Sequence, residues 1–144
     1  MTEYIDASGD NEGGAQAQDE DAINRVAVSA DVQYVPERSD PSSSMWFYAY
    51  TITIRNEGKI GCQLLSRHWI ITDATGHVEE VRGPGVVGQQ PYLEPGESFS
   101  YTSACPLRTP VGSMRGSYQM VNAQGEHFDA PIPAFVLTRE QSVN

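Results

Sequence analysis

Arg82-Gly83-Pro84-Gly85-Val86-Val87-Gly88-Gln89-Gln90-Pro91 places three glycines in the G-x-G-x-x-G spacing of dinucleotide-binding loops. How this stretch is read decides the fold class. In an α/β nucleotide-binding fold such a loop leads from a strand into a helix, whose free N–H groups and partial positive charge hold the pyrophosphate. Here Pro91 follows at once, and Leu93-Glu94-Pro95-Gly96-Glu97 adds a second turn signal. No amphipathic helix can begin there. The stretch therefore reads as a glycine-shaped surface loop in an all-β chain.

The flanking sequence has a period of two, the mark of strands with one buried face. Val26, Val28, Ala30, Val32 and Tyr34 alternate with Ala27, Ser29, Asp31 and Gln33. From Phe47 to Ile54, Tyr48, Tyr50, Ile52 and Ile54 share one face, and the run is aromatic and β-branched. Gln63 to Thr72 is a further strand, with Leu65, Trp69 and Ile71 pointing inward. Asp73-Ala74-Thr75-Gly76 then predicts a hairpin, with His77 to Arg82 as the returning strand. Pro95-Gly96 suits a type II turn. Strands follow at Glu97 to Ser103, Met114 to Val121 and His127 to Thr138. Pro131 and Pro133 make the last one an edge strand or two short pieces. About seven strands separated by turn signals predict an immunoglobulin- or fibronectin-III-like β-sandwich, with a closed barrel as the alternative.

Charge is unevenly placed. Of 19 acidic residues in a chain of net charge −10, seven lie in residues 1–24, which hold no Lys or Arg. That leaves a nearly balanced remainder with no basic face for nucleic acid. The expected organisation is an acidic disordered tail over 1–23, a domain over 24–140 and a short tail over 141–144. No stretch is apolar enough to span a bilayer. With no export signal and only Cys62 and Cys105, the chain is expected to be cytoplasmic with both thiols free.

Several blocks, in order and correctly spaced, resemble the ApaG family. They are Leu64-Leu65-Ser66-Arg67-His68-Trp69-Ile70-Ile71-Thr72-Asp73, Gly85-Val86-Val87-Gly88-Gln89-Gln90-Pro91, Leu93-Glu94-Pro95-Gly96-Glu97, Thr109-Pro110-Val111-Gly112 and Met114-Arg115-Gly116-Ser117-Tyr118-Gln119-Met120. The match covers roughly residues 24–140, and departs from the family's pattern at Ala104-Cys105, where a glycine is expected after Ser103. The resemblance implies a fibronectin-III-like sandwich with no established enzyme activity. It also implies a genomic neighbour hydrolysing diadenosine tetraphosphate, and an association with cobalt tolerance and magnesium efflux. Similar domains in eukaryotes are joined to an F-box protein and to a polymerase-interacting protein, where they look like protein-binding modules.

The candidate ligand or partner surface is Arg67, His68, Arg82, Gly83, Gly85 and Gly88. Alternation on a strand puts Arg67 with Trp69 on one face and His68 with Ser66 on the other. A buried Trp69 then places Arg67 near the sandwich rim, paired to an acid, and His68 outward. Two functions follow. One is a non-enzymatic module that binds a protein partner through this surface or a free sheet edge. The other is a sensor whose loop N–H groups, with Arg82, Arg67 or Arg115, hold a nucleotide or polyphosphate. The competing structural reading has the glycines merely shaping the loop and Arg67 in an ordinary ion pair. His68, His77 and His127 are isolated, and Glu79 and Glu80 point to opposite faces. No catalytic residue, metal site or cofactor is therefore assigned. A monomer or homodimer is expected, with no nucleic-acid or membrane partner.

Overall fold

The alternation read from the sequence becomes an alternation of burial. In β2 (Trp46–Asn56), Tyr48, Tyr50, Ile52, Ile54 and Asn56 are buried while the residues between them are half-buried or exposed. The same pattern, with one face toward a core, runs through the other strands. The structure is a computed structural model that describes residues 22–140. The expected tails, 1–23 and 141–144, lie almost wholly outside the described residues.

Among the described residues eight strands form: β1 (Val26–Tyr34), β2, β3 (Cys62–Asp73), β4 (Val78–Pro84), β5 (Tyr92–Leu93), β6 (Ser98–Leu107), β7 (Gly112–Asn122) and β8 (His127–Leu137). Two 3₁₀ turns, Pro36–Arg38 and Pro41–Ser43, lie between β1 and β2. One sheet has the order β1-β2-β6. The other has the order β4-β3-β7-β8, with β5 also on β3. All pairings are antiparallel. Both sheets keep open edges, so the fold is a sandwich and not a barrel.

The differences from the sequence reading each have a physical cause. The eighth strand, β5, is only two residues long and pairs with Cys62 and Gln63, too short for any periodic signal. Gly83 and Pro84, expected in the loop, continue β4 opposite Arg67 and Ser66. In β3 the inward leucine is Leu64, fully buried, and not Leu65. The register on β7 slips between Leu64 and Ser66, so Leu65 is the extra residue of a β-bulge. The final strand is continuous. It lies at the end of its sheet, and Pro133 falls where the register on β7 slips again. An edge and a bulge are where a strand tolerates a missing N–H.

The core centres on Trp69, whose ring meets Tyr50, Phe135 and Tyr118 at centroid distances of 5.5, 5.9 and 6.4 Å in edge-on geometry. Tyr101 and Tyr118 join the sheets by a buried hydroxyl–hydroxyl bond of 2.5 Å. Burial pushes the Tyr101 phenol up to about 12 and the Tyr118 phenol higher still. Cys62 and Cys105 are buried free thiols.

Removing one hydroxyl of the Tyr101–Tyr118 pair strands the other in the core. Tyr101→Phe and Tyr118→Phe should each cost about 1–3 kcal/mol in urea unfolding. The double variant should lose clearly less than the sum of the two single losses, because no orphaned hydroxyl remains.

Candidate functional site

The bulge at Leu65 builds the site. After it, Arg67, Trp69 and Ile71 face the space between the sheets, and Ser66 and His68 face outward. The expectation that Arg67 shares a face with buried Trp69 is met, but its partner is not an acid. Arg67 Nη1 donates to the main-chain carbonyls of Pro84 at 3.0 Å and Gly85 at 2.9 Å. Among the described residues it forms no salt bridge. Its guanidinium lies over Gly83, where a Cβ would stand 3.0–3.1 Å from the guanidinium atoms. Gly83 is thus a close-approach glycine, without positive φ.

Beyond Gly85 the chain makes a tight two-residue hairpin. Val86 N–H donates to Gln89 O and Gln89 N–H to Val86 O, both at 2.9 Å. The central residues, Val87 and Gly88, have φ of +43° and +81°, the sign pattern of a type I′ turn. The hairpin is tied down from behind. Leu65 O, the carbonyl of the bulge residue, accepts both Gly85 N–H at 2.8 Å and Gln90 Nε2 at 2.9 Å. Gln63 Nε2 donates to Gln90 O at 3.0 Å. Val86 is buried in the core while Val87 is 54% exposed.

On the outer face, His68 Nε2 lies 2.8 Å from Glu80 Oε1, and Arg82 Nη2 lies 3.6 Å from the same oxygen. The hydrogen bond from His68, then the positive charge nearby, holds the Glu80 carboxyl below its usual 4.5. His68 and Arg82, with Ser66, Ser117, Gln119 and Asp129, border a shallow depression of about 370 Å³. Its charges are mixed. The structure thus brings Arg67, His68, Arg82 and Gly83 to one depression, with Gly85 and Gly88 in the adjoining hairpin.

Several contributors escaped the sequence reading. Glu80 was set aside as half of a mismatched pair, yet it anchors His68 and Arg82. Gln63 and Gln90 act through main-chain carbonyls, which carry no sequence signature. Val87 sits where Asn or Gly would be expected, and only the G-x-x-G frame hints at it. Among the described residues no group of three or more His, Cys, Asp or Glu is placed to hold a metal. Among them, too, no helix is long and apolar enough to cross a membrane.

Fold and site together define a β-sandwich domain of two antiparallel sheets carrying a pinned glycine hairpin at one edge. The chain belongs to the ApaG family: the ApaG domain model matches residues 36–122. Protein ApaG of Dechloromonas aromatica is 53% identical over 120 residues, 83% of this chain and 94% of that protein. Protein ApaG of an Azoarcus species is 58% identical over 113 residues, 78% of this chain and 89% of that one. The crystal structure of an ApaA protein from Bordetella pertussis superimposes with a TM-score of 0.81 at 52% identity, covering 83% of this chain and 98% of that one.

Two outcomes follow from this geometry. Arg67→Ala should cost about 1.5–3 kcal/mol, the range for a hydrogen-bonded charged group. It should also speed amide exchange at Gly85 and Gln89 before exchange in β2. The depressed Glu80 carboxyl contributes stability that is present above 4.5 and lost as pH falls through its lower folded value. Glu80→Gln should therefore flatten the acid limb of the stability profile below about pH 4.5 and leave the profile near neutrality unchanged in shape.

Proposed function

We propose that this chain is a non-enzymatic binding module. It presents the hairpin tip at Val87-Gly88, with the adjoining patch of His68 and Arg82, to a protein partner. The carrying observation is Val87. A β-branched residue at φ of +43° is a backbone outlier, and such positions cost about 1–3 kcal/mol. Asn in its place would give the Asn-Gly pair that a type I′ turn favours. Local stability thus argues against a valine there, and its side chain, more than half exposed, is available for recognition. Tyr92, 48% exposed, follows two residues after Gln90. A tip fixed by Arg67, Gln63 and Gln90 loses little entropy on binding, which favours affinity.

The nucleotide or polyphosphate reading has less support. The N–H groups of Gly85, Val86 and Gln89 all donate within the protein, so they do not converge on an anion. Arg67 is turned to carbonyls, and Arg82 lies near Glu80. The family's association with divalent ions would then act through the partner.

Val87→Asn should raise stability by about 1 kcal/mol through relief of backbone strain. It should also weaken capture of the partner by the immobilised chain at least about fivefold, which is roughly 1 kcal/mol. Unchanged capture by folded Val87→Asn and Val87→Asp chains would sink the tip reading. A saturable thermal shift with diadenosine tetraphosphate or pyrophosphate, lost in Arg82→Ala, would move the function to anion sensing.

A further inference from the structure

The two sheets are unequal in width. Three strands, β1-β2-β6, face a path of four, β8-β7-β3-β4. At one flank β1 packs on β8, with Val28 and Ala30 near Ile132 and Phe135. At the other flank no strand among the described residues lies opposite β4, whose Val81 is only half-buried, and the sandwich stays open between β4 and β6. A cleft of about 280 Å³ lies there, floored by Tyr50, Trp69, Val81 and Met114. It shares Ile71, Glu79 and Pro106 with a second hollow of about 430 Å³ that runs on to Arg108 and His77. Together they form one trough along β6.

The edge beside this trough is unguarded. β6, Ser-Phe-Ser-Tyr-Thr-Ser-Ala-Cys-Pro-Leu, spans ten residues without a charge and, among the described residues, pairs only with β2. Proteins normally blunt such edges with charges, prolines or cover. The other edges follow that rule. β4 carries Glu79, Glu80, Arg82 and Pro84, β8 carries Pro131 and Pro133, and β1 carries Asp31 and is covered by β8. In β6 the one proline, Pro106, stands next to the strand's end, so Ser98–Cys105 is, among the described residues, the long edge row with neither charge nor proline, and it lies above an apolar floor.

We propose that the vacant strand position beside β6 takes an extended segment of a partner protein by strand addition. Alternate side chains of the segment enter the trough: an apolar one over Trp69 and Val81, and a Lys or Arg facing Glu79. The main-chain bonds supply affinity and the trough supplies selectivity. Charge decides the occupant. Arg67 borders one end of the trough but is turned to the carbonyls of Pro84 and Gly85, and Asp73 and Arg108 offset each other at the other end; Glu79 lines both halves and, among the described residues, has no salt bridge. A second copy would bring another β6, which has no basic residue, from a chain of net charge −10. The chain's own residues 1–24 carry seven acids and no Lys or Arg, so they would meet Glu79 with like charge. A basic and apolar segment of another protein is the complementary occupant. This deepens the binding-module reading and rests on it in taking the ligand to be protein, but it uses a surface other than the hairpin tip.

The test is selection of the full-length chain against a displayed library of random ten-residue peptides, followed by amide exchange with the selected peptide bound. Enriched peptides should alternate apolar residues with positions bearing Lys or Arg, and protection should appear in Ser98–Leu107. Glu79→Lys should weaken a Lys-bearing peptide at least about fivefold, since attraction becomes repulsion, and a second selection on it should favour Asp or Glu. Glu79→Gln, a milder change, should give a smaller loss in the same direction. Val87→Asn should leave peptide affinity unchanged. Retention of no peptide, protection confined to another surface, or indifference to Glu79→Lys would each overturn the proposal. So would β6 protection that appears without peptide and scales with protein concentration, which would mark a second copy as the occupant. Loss of peptide binding in Val87→Asn would move the ligand to the tip, leaving the module reading intact while this one falls. A peptide bound at β6 alongside tip variants that capture the partner normally would leave this proposal standing while the tip reading falls.

Discussion

One extra residue in β3, Leu65, sets the phase of the whole site. A strand exposes alternate residues to opposite faces, so positions 64 and 69, an odd number apart, cannot both point inward without an insertion. Leu64 and Trp69 are both buried, and the slip between Leu64 and Ser66 is what permits it. Without the slip, either Cys62 and Leu64 or Trp69 would turn to solvent. The central ring against which Tyr50, Phe135 and Tyr118 pack would then have no floor. The same slip swings Arg67 inward and His68 outward. It also leaves the carbonyl of Leu65 off the ladder, where it accepts Gly85 N–H and the Gln90 side chain. A device that keeps the core in register therefore also moors the glycine hairpin.

The other end of the loop is fixed by buried amides and not by charge. Asn56, almost fully buried, donates from Nδ2 to the carbonyls of Ile60 and Leu93 and accepts Gly58 N–H at Oδ1. Every polar position on that side chain is thus used, which is the condition for burying it at all. It joins the β2–β3 turn to β5, so the chain leaving the hairpin returns to the sandwich at a fixed point. The loop is thus held at both ends through main-chain groups, by neutral bonds from Asn56, Gln63 and Gln90 and by the Arg67 guanidinium on two carbonyls, and not by the surface ion pairs that salt screens most.

How much of this was legible depends on whether side chains or main-chain groups carry the information. Tyr48, Tyr50, Ile52 and Ile54 declare their face because their neighbours differ in polarity, and the structure buries all four. Pro95-Gly96 declares its turn because only certain residues accept the dihedrals, and Gly96 has φ of +88°. Pro91 after the glycines ruled out a helix, and none follows. The bulge was hidden by chemistry: Gln63-Leu64-Leu65-Ser66 offers two adjacent leucines, and either can be inward. Arg67 was placed on its face correctly, but its partners are carbonyls, and every residue has one. An acid was the natural expectation for a half-buried guanidinium, and the sequence holds no mark against it. The strain at Val87 was equally silent, since a valine inside G-x-x-G reads as filler until its φ is known.

Arg67 stands where the two proposed surfaces meet. It borders the depression on the outer face and also the inner end of the trough beside β6. Its hydrogen bonds hold Pro84 and Gly85, the last residues before the hairpin. A segment lying on β6 would pass beside Val81 and approach this guanidinium from within, whereas a partner on the tip would load it from outside. Coupling between sites needs an element with two arrangements that both ligands bias. Among the described residues the Arg67 clamp is the element the two surfaces share, and it has a compact seat over Gly83, where even a Cβ would crowd it. A rigid shared wall transmits little. The geometry therefore favours two surfaces that act side by side, with the trough reading extended chain by its backbone and the tip reading shape. Were one partner to engage both proposed surfaces, its total affinity would come from simultaneous engagement and not from one site switching the other.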